Sequence, residues 1–142
     1  MTRWRKGTGF ALLGAAVLPA IFAVAWFSRG HGTVALLVYF LAHNLLSNGL
    51  SEEFLTRGMV FSHLRAFIPK EWAIVTQAVL FGLLHINPFQ HPDNWWLECA
   101  RNVLSNAPMG FFLCLIALRM RSIVGAGLVH ASLDTMNNFI GG

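Results

Sequence analysis

Ionisable side chains lie inside the apolar runs of this chain, and few folds tolerate that. Glu52, Glu53 and Arg57 fall in LSEEFLTRG, His85 ends LFGLLH, and His130 and Asp134 lie in LVHASLD. A charge in hydrocarbon costs several kcal/mol, so such residues turn toward a protein interior and mark functional sites. Three polar clusters on three apolar segments therefore predict one buried polar site.

Composition sets the solvent. Of 142 residues, 56% are hydrophobic and only 11% charged, and the mean hydropathy is +0.58. A soluble domain rarely carries so little charge. The expected fold is all-α, a polytopic membrane helical bundle of about five transmembrane helices. The net charge of +4 is modest. Its basic residues are scattered and form no polar face, which argues against a nucleic-acid partner and for loop topology. Cys99 and Cys114 have no ligand spacing and read as packing residues.

Five apolar stretches can be drawn, at about Phe10–Phe27, Thr33–Leu64, Trp72–Ile86, Val103–Leu118 and Ile123–Ile140. A helix needs roughly 20 apolar residues to cross a bilayer. The second stretch is too long for one straight span, so it is expected to tilt, to break near Asn48-Gly49, or to protrude around Ser62–Arg65. The first also has the basic start and Ala23-Val24-Ala25 of a signal peptide, but its length and the bulky Trp26 favour a retained helix. Asn87–Trp96, with two prolines, reads as the main loop, and His91 and Asp93 as solvated residues within it.

With the N-terminus in the cytoplasm, Arg3, Arg5, Lys6, Arg65, Lys70, Arg119 and Arg121 fall inside, and Arg29 and Arg101 outside. That is the positive-inside asymmetry. Trp4, Trp26, Trp72 and the Trp95-Trp96 pair fall at predicted helix ends, where an aromatic belt belongs.

Spacing groups the polar residues. Glu53 and Arg57 are four apart, share a helical face and can pair. Glu52 diverges from Glu53 by about 100°, so one glutamate can hold Arg57 while the other faces a cavity. Phe81 and His85 are four apart, as are His130 and Asp134, whose stripe Asn138 extends. Depth agrees as well. From Arg65 back to Glu52, and from Trp72 to His85, is roughly 20 Å of helix, and from Ser122 to Asp134 roughly 18 Å. Singly, each cluster also fits a bland reading, such as surface charges at a helix end or a structural histidine.

In order and spacing the trio resembles the CPBP family of intramembrane proteases, also called the CAAX protease or Abi family. The pattern EExxxR, FxxxH, HxxxN or HxxxD reads here as Glu52-Glu53-x-x-x-Arg57, Phe81-x-x-x-His85 and His130-x-x-x-Asp134. The resemblance covers roughly residue 41 to the C-terminus. It divides the chain into N-terminal transmembrane segments over 1–40 and a protease core over 41–142. Small size points to a minimal or truncated bacterial form, of the myxosortase-like kind.

The resemblance implies an endopeptidase that hydrolyses peptide bonds of membrane-tethered peptides or protein tails. Glu52 would be general base, with His85 holding the water. His130, assisted by Asp134, would stabilise the oxyanion. Glu53, Arg57 and Phe81 would be supports. An aspartate at 134 departs from the more familiar asparagine, and it donates a hydrogen bond only when protonated. Glu52, His85 and His130 also suit a zinc site with an open water position. The absence of HExxH spacing favours a reaction with no cofactor. The expected location is the bacterial plasma membrane, with the bilayer as surroundings. The competing classes are a non-catalytic peptide-binding or bacteriocin-immunity protein, and a proton-coupled transport subunit.

Overall fold

The computed structural model describes residues 34–140, apart from 88 and 90–92. The expected first span at Phe10–Phe27, its signal-peptide alternative, the basic N-terminus and His91 lie outside the described residues. Those residues form four helices and no strand. They are α1 (Val34–Phe67), α2 (Lys70–Leu84), α3 (Trp95–Met120) and α4 (Ile123–Ile140). In lipid each backbone N–H and C=O must be satisfied within its own segment, so long apolar runs become helices. Two of them, α1 and α3, are long and apolar enough to cross a membrane. α2 has 15 residues, roughly 22 Å, and α4 has 18. Of the five expected spans, two correspond to helices of crossing length among the described residues, and the first lies outside them.

The long second stretch does not break at Asn48-Gly49. α1 runs on to Phe67, and its middle widens into π-helix at Leu45–Leu50 and Phe54–Val60, with one α turn at Ser51–Glu53 between. Side chains compete here with the backbone ladder. Ser47 Oγ donates to the His43 carbonyl and Ser51 Oγ to the Ser47 carbonyl, while Ser62 Oγ reaches back five residues to Arg57 O. Such back-bonding loosens the regular ladder. π-segments inside α-helices are frequent at functional sites, and Glu52 and Glu53 occupy the turn between these two.

The ends of the helices follow local chemistry. Ile68 is extended (φ −131°, ψ 156°) because Pro69 follows it, and α1 stops there. α3 begins at Trp95, eight residues before the expected stretch at Val103. Asn94 Oδ1 accepts the Leu97 N–H as a cap. The polar residues of the first turns do not end the helix, because they bond within it. Asn102 Nδ2 donates to Glu98 O and Oε1, Ser105 Oγ to Arg101 O, and Asn106 Nδ2 to Asn102 O. Arg121, at φ +56°, separates α3 from α4, where Ser122 Oγ accepts the Val124 N–H.

The chain divides into two units. One holds the described residues 34–54 and 116–140; the other is Leu55–Leu115. In the first, α1 and α4 meet backbone to backbone. A Cβ on Gly49 would stand 2.5 Å from Gly127 O, and one on Gly127 2.8 Å from Gly49 O. Small residues at such crossings let helices approach closely in lipid. Ala126, Val129 and Ala131 complete this core. In the second unit Phe61, Ala73, Ile74, Ala78, Phe81, Leu113 and Cys114 are buried. Outside both cores, large apolar side chains such as Leu46, Phe54, Phe67, Trp72 and Leu104 are exposed, the surface of a protein solvated by lipid.

Gly127→Val places a branched side chain where Gly49 O sits. It should destabilise the first unit by about 1–3 kcal/mol. A lowered thermal midpoint in detergent is expected; an unchanged midpoint would contradict the close crossing.

Candidate active site

Four of the expected residues come together in the first unit. Helix α4 brings His130 to the short α turn of α1. His130 Nδ1 lies 3.3 Å from Glu53 Oε1, and Nε2 lies 3.9 Å from Glu52 Oε2 and 3.7 Å from Asp134 Oδ2. The imidazole therefore stands between adjacent glutamates that reach opposite nitrogens. Their divergence of about 100° on the helix is what lets them flank one ring.

Burial separates the two glutamates. The Glu53 side chain is fully buried and His130 nearly so, whereas Glu52 is 33% exposed and Asp134 25%. An ionised Glu53 only accepts, so its contact at 3.3 Å assigns a proton to Nδ1. In the neutral ring Nε2 is then a bare acceptor; in the imidazolium it is a donor toward Glu52 and Asp134. The separations at Nε2 are those of ion pairs and exceed direct hydrogen-bond length.

Asp134 has a partner that motif reading missed. Asn48 Nδ2 donates to Asp134 Oδ2 at 2.9 Å. One turn earlier, buried Asn44 donates to Thr135 Oγ1 at 3.0 Å. Asn44, Asn48 and Glu52 form an i, i+4, i+8 polar stripe on an apolar helix, and that stripe was the available signal. Asn138, expected to extend the His130–Asp134 face, is exposed.

The remaining motif residues gather in the second unit. Arg57 is buried, donates to Gly110 O at 2.7 Å and Thr56 Oγ1 at 2.6 Å, and places its guanidinium 4.7 Å from the Phe81 ring centroid. Gln77, also buried and absent from the motifs, donates to the same Gly110 carbonyl at 3.0 Å. Phe81 fills the niche left by Gly110, where a Cβ would stand 2.9 Å from the Phe81 ring. His85 caps α2, with its ring 4.6 Å from that of Phe81. Its Nδ1 lies 2.8 Å from Phe81 O. A carbonyl only accepts, so Nδ1 carries the proton.

Among the described residues, no three His, Cys, Asp or Glu side chains form a group arranged to hold a metal ion. The chemistry available in the first unit is that of a partly exposed carboxylate beside an oriented imidazole.

The family described as type II CAAX prenyl endopeptidase, Rce1-like, matches residues 33–136, and the chain belongs to it. It is a CAAX protease family of membrane-integral hydrolases, which agrees with the all-helical fold and the two helices of crossing length. Neither the curated proteins nor the solved structures contain a match.

Arg57→Lys keeps the charge but loses the planar fork that serves Gly110 O and Thr56 Oγ1 together. Each hydrogen bond to a charged group is worth about 1.5–3 kcal/mol, so a loss of about 2 kcal/mol is expected in thermal or denaturant unfolding. Wild-type stability would show that the guanidinium does not organise this unit.

Proposed function

We propose that the protein is an intramembrane endopeptidase that hydrolyses the tails of membrane-associated proteins or peptides through a water activated by Glu52. The observation that carries this reading is the pair of carboxylates at His130 Nε2. Glu52 Oε2 and Asp134 Oδ2 stand 3.9 and 3.7 Å from it, on the partly exposed side of a ring whose other nitrogen is held by buried Glu53.

Glu52 accepts a proton from the water as its oxygen attacks the peptide carbonyl. The imidazolium of His130 donates from Nε2 to the oxyanion that forms. Glu52 then passes its proton to the leaving amine as the C–N bond breaks, which returns the carboxylate. Only Glu52 suits the base, because Glu53 is closed to water and already bound to Nδ1. For His85 we keep the role that the family resemblance implies, polarisation of a water. No step in this sequence needs a metal.

The family description, type II CAAX prenyl endopeptidase, supports a membrane-associated protein tail as the substrate. A lipid-anchored peptide delivered from the bilayer fits a site on helices with apolar outer faces. Arg65 and Lys70, and Arg119 and Arg121, mark the cytoplasmic helix ends, with the N-terminus on that side and the plasma membrane of a bacterium as the setting.

Purified protein is expected to cleave a farnesylated CAAX peptide or another membrane-tethered peptide. Glu52→Gln should lower kcat about 10³-fold, within the range for loss of a general base, and chelation should leave the wild-type rate unchanged. Retained cleavage by Glu52→Gln would refute water activation by this residue. Loss with chelator, restored by zinc, would make it a metal enzyme. Failure of the wild type across a broad peptide panel would favour a non-catalytic binder.

A further inference from the structure

Two amides of α1 reach α4, and they land on neighbouring residues. Asn44 Nδ2 donates to Thr135 Oγ1, and that hydroxyl donates in turn to Ala131 O at 2.7 Å. The chain of bonds closes on backbone, among side chains that are nearly fully buried. Asn48 Nδ2 donates to Asp134 Oδ2 at 2.9 Å, and the same oxygen is 3.7 Å from His130 Nε2. This second bond ends on a carboxylate that faces the imidazole.

We propose that Asn48, which lies in none of the three motifs, is a positioning residue of the hydrolytic reaction: its amide holds the Asp134 carboxylate in place, with Oδ2 facing His130 Nε2. This rests on the reading of Glu52 as activator of water. A carboxylate oxygen accepts only, so the Asn48 atom beside it is the amide nitrogen. Held by that N–H, Oδ2 is the Asp134 atom turned toward His130 Nε2. Asp134 thus stands beside the imidazolium as a counter-charge 3.7 Å from Nε2, and the N–H at Nε2 is kept for the oxyanion. The difficulty of an aspartate in the third motif disappears.

Charge explains why position 48 is an amide. His130 already has three carboxylates within 4 Å, Glu52, Glu53 and Asp134. A carboxamide adds a donor and no charge. An acid in its place would remove the donor and set a like charge against Asp134, which disfavours ionisation of both.

The test uses the full chain in detergent and the farnesylated or membrane-tethered peptide that the wild type cleaves. Four variants are compared: Asn48→Asp, Asn48→Asp with Asp134→Asn, Asn44→Ala and Glu52→Gln. Asn48→Asp is expected to lower kcat about 100-fold, the loss typical of a misaligned electrostatic contact to the transition state, with KM and thermal midpoint near wild type. Adding Asp134→Asn restores one amide and one carboxylate in exchanged positions. The carboxamide nitrogen at 134 then donates to the acid at 48, which carries the counter-charge in its place. At least about 10-fold of the kcat should return, as coupling between directly bonded partners requires. Asn44→Ala should lower the midpoint and leave kcat within about 3-fold, since its bonds end on backbone.

Wild-type kcat in Asn48→Asp would overturn the proposal. So would no recovery in the double variant, or parallel losses of kcat and midpoint matching those of Asn44→Ala. Either result beside an inactive Glu52→Gln leaves water activation standing. An active Glu52→Gln removes that reading and the role of Asn48 with it.

Discussion

A fully buried carboxylate fixes the first unit of this protein. Glu53 has no exposed surface, and a charge so placed is tolerated only when it is bonded. His130, 77 positions later, lies 3.3 Å away. Because that contact joins α1 to α4, it sets their register and the protonated nitrogen of the ring. Glu52, the next residue back, then meets the opposite nitrogen. The crossing of Gly49 on Gly127 allows the approach, since any side chain at either position would strike the other helix's backbone.

The second unit depends on a single carbonyl in a similar way. Gly110 O receives Arg57 and Gln77, and the missing side chain of Gly110 makes room for Phe81. Phe81 in turn lies against the guanidinium on one hand and the His85 ring on the other. The Arg of the first motif and the Phe of the second are thus parts of one support. Their value lies in geometry: a planar cation serves an acceptor and an aromatic face together, which a point charge cannot.

Much of this was legible from residue type and spacing. Glutamates, histidines and an aspartate stand out in hydrocarbon because their cost is high, and a separation of four places partners on one helical face. The grouping of Glu52, Glu53, His130 and Asp134 follows from those two rules. Asn44, Asn48 and Gln77 were harder to see, because a neutral amide is a weaker signal in an apolar run than a charge is. The contact of Glu53 with His130 was not visible either, as spacing along α1 links Glu53 to Arg57 and says nothing of a partner on α4. The π-segments of α1 depend on serines bonding back to carbonyls, a competition that periodicity does not register. The start of α3 was misjudged for a related reason: Glu98, Arg101 and Asn102 look like a loop until their bonds within the helix are counted.

The most direct measurement is the protonation of the His130 ring nitrogens by nitrogen-15 NMR of histidine-labelled protein, assigned by comparison with His130→Gln. The account predicts a proton on Nδ1, hydrogen-bonded to Glu53, in both the neutral ring and the imidazolium. A neutral ring with the proton on Nε2 and a bare Nδ1 would contradict it, because Glu53 would then not orient the imidazole that the proposed chemistry uses.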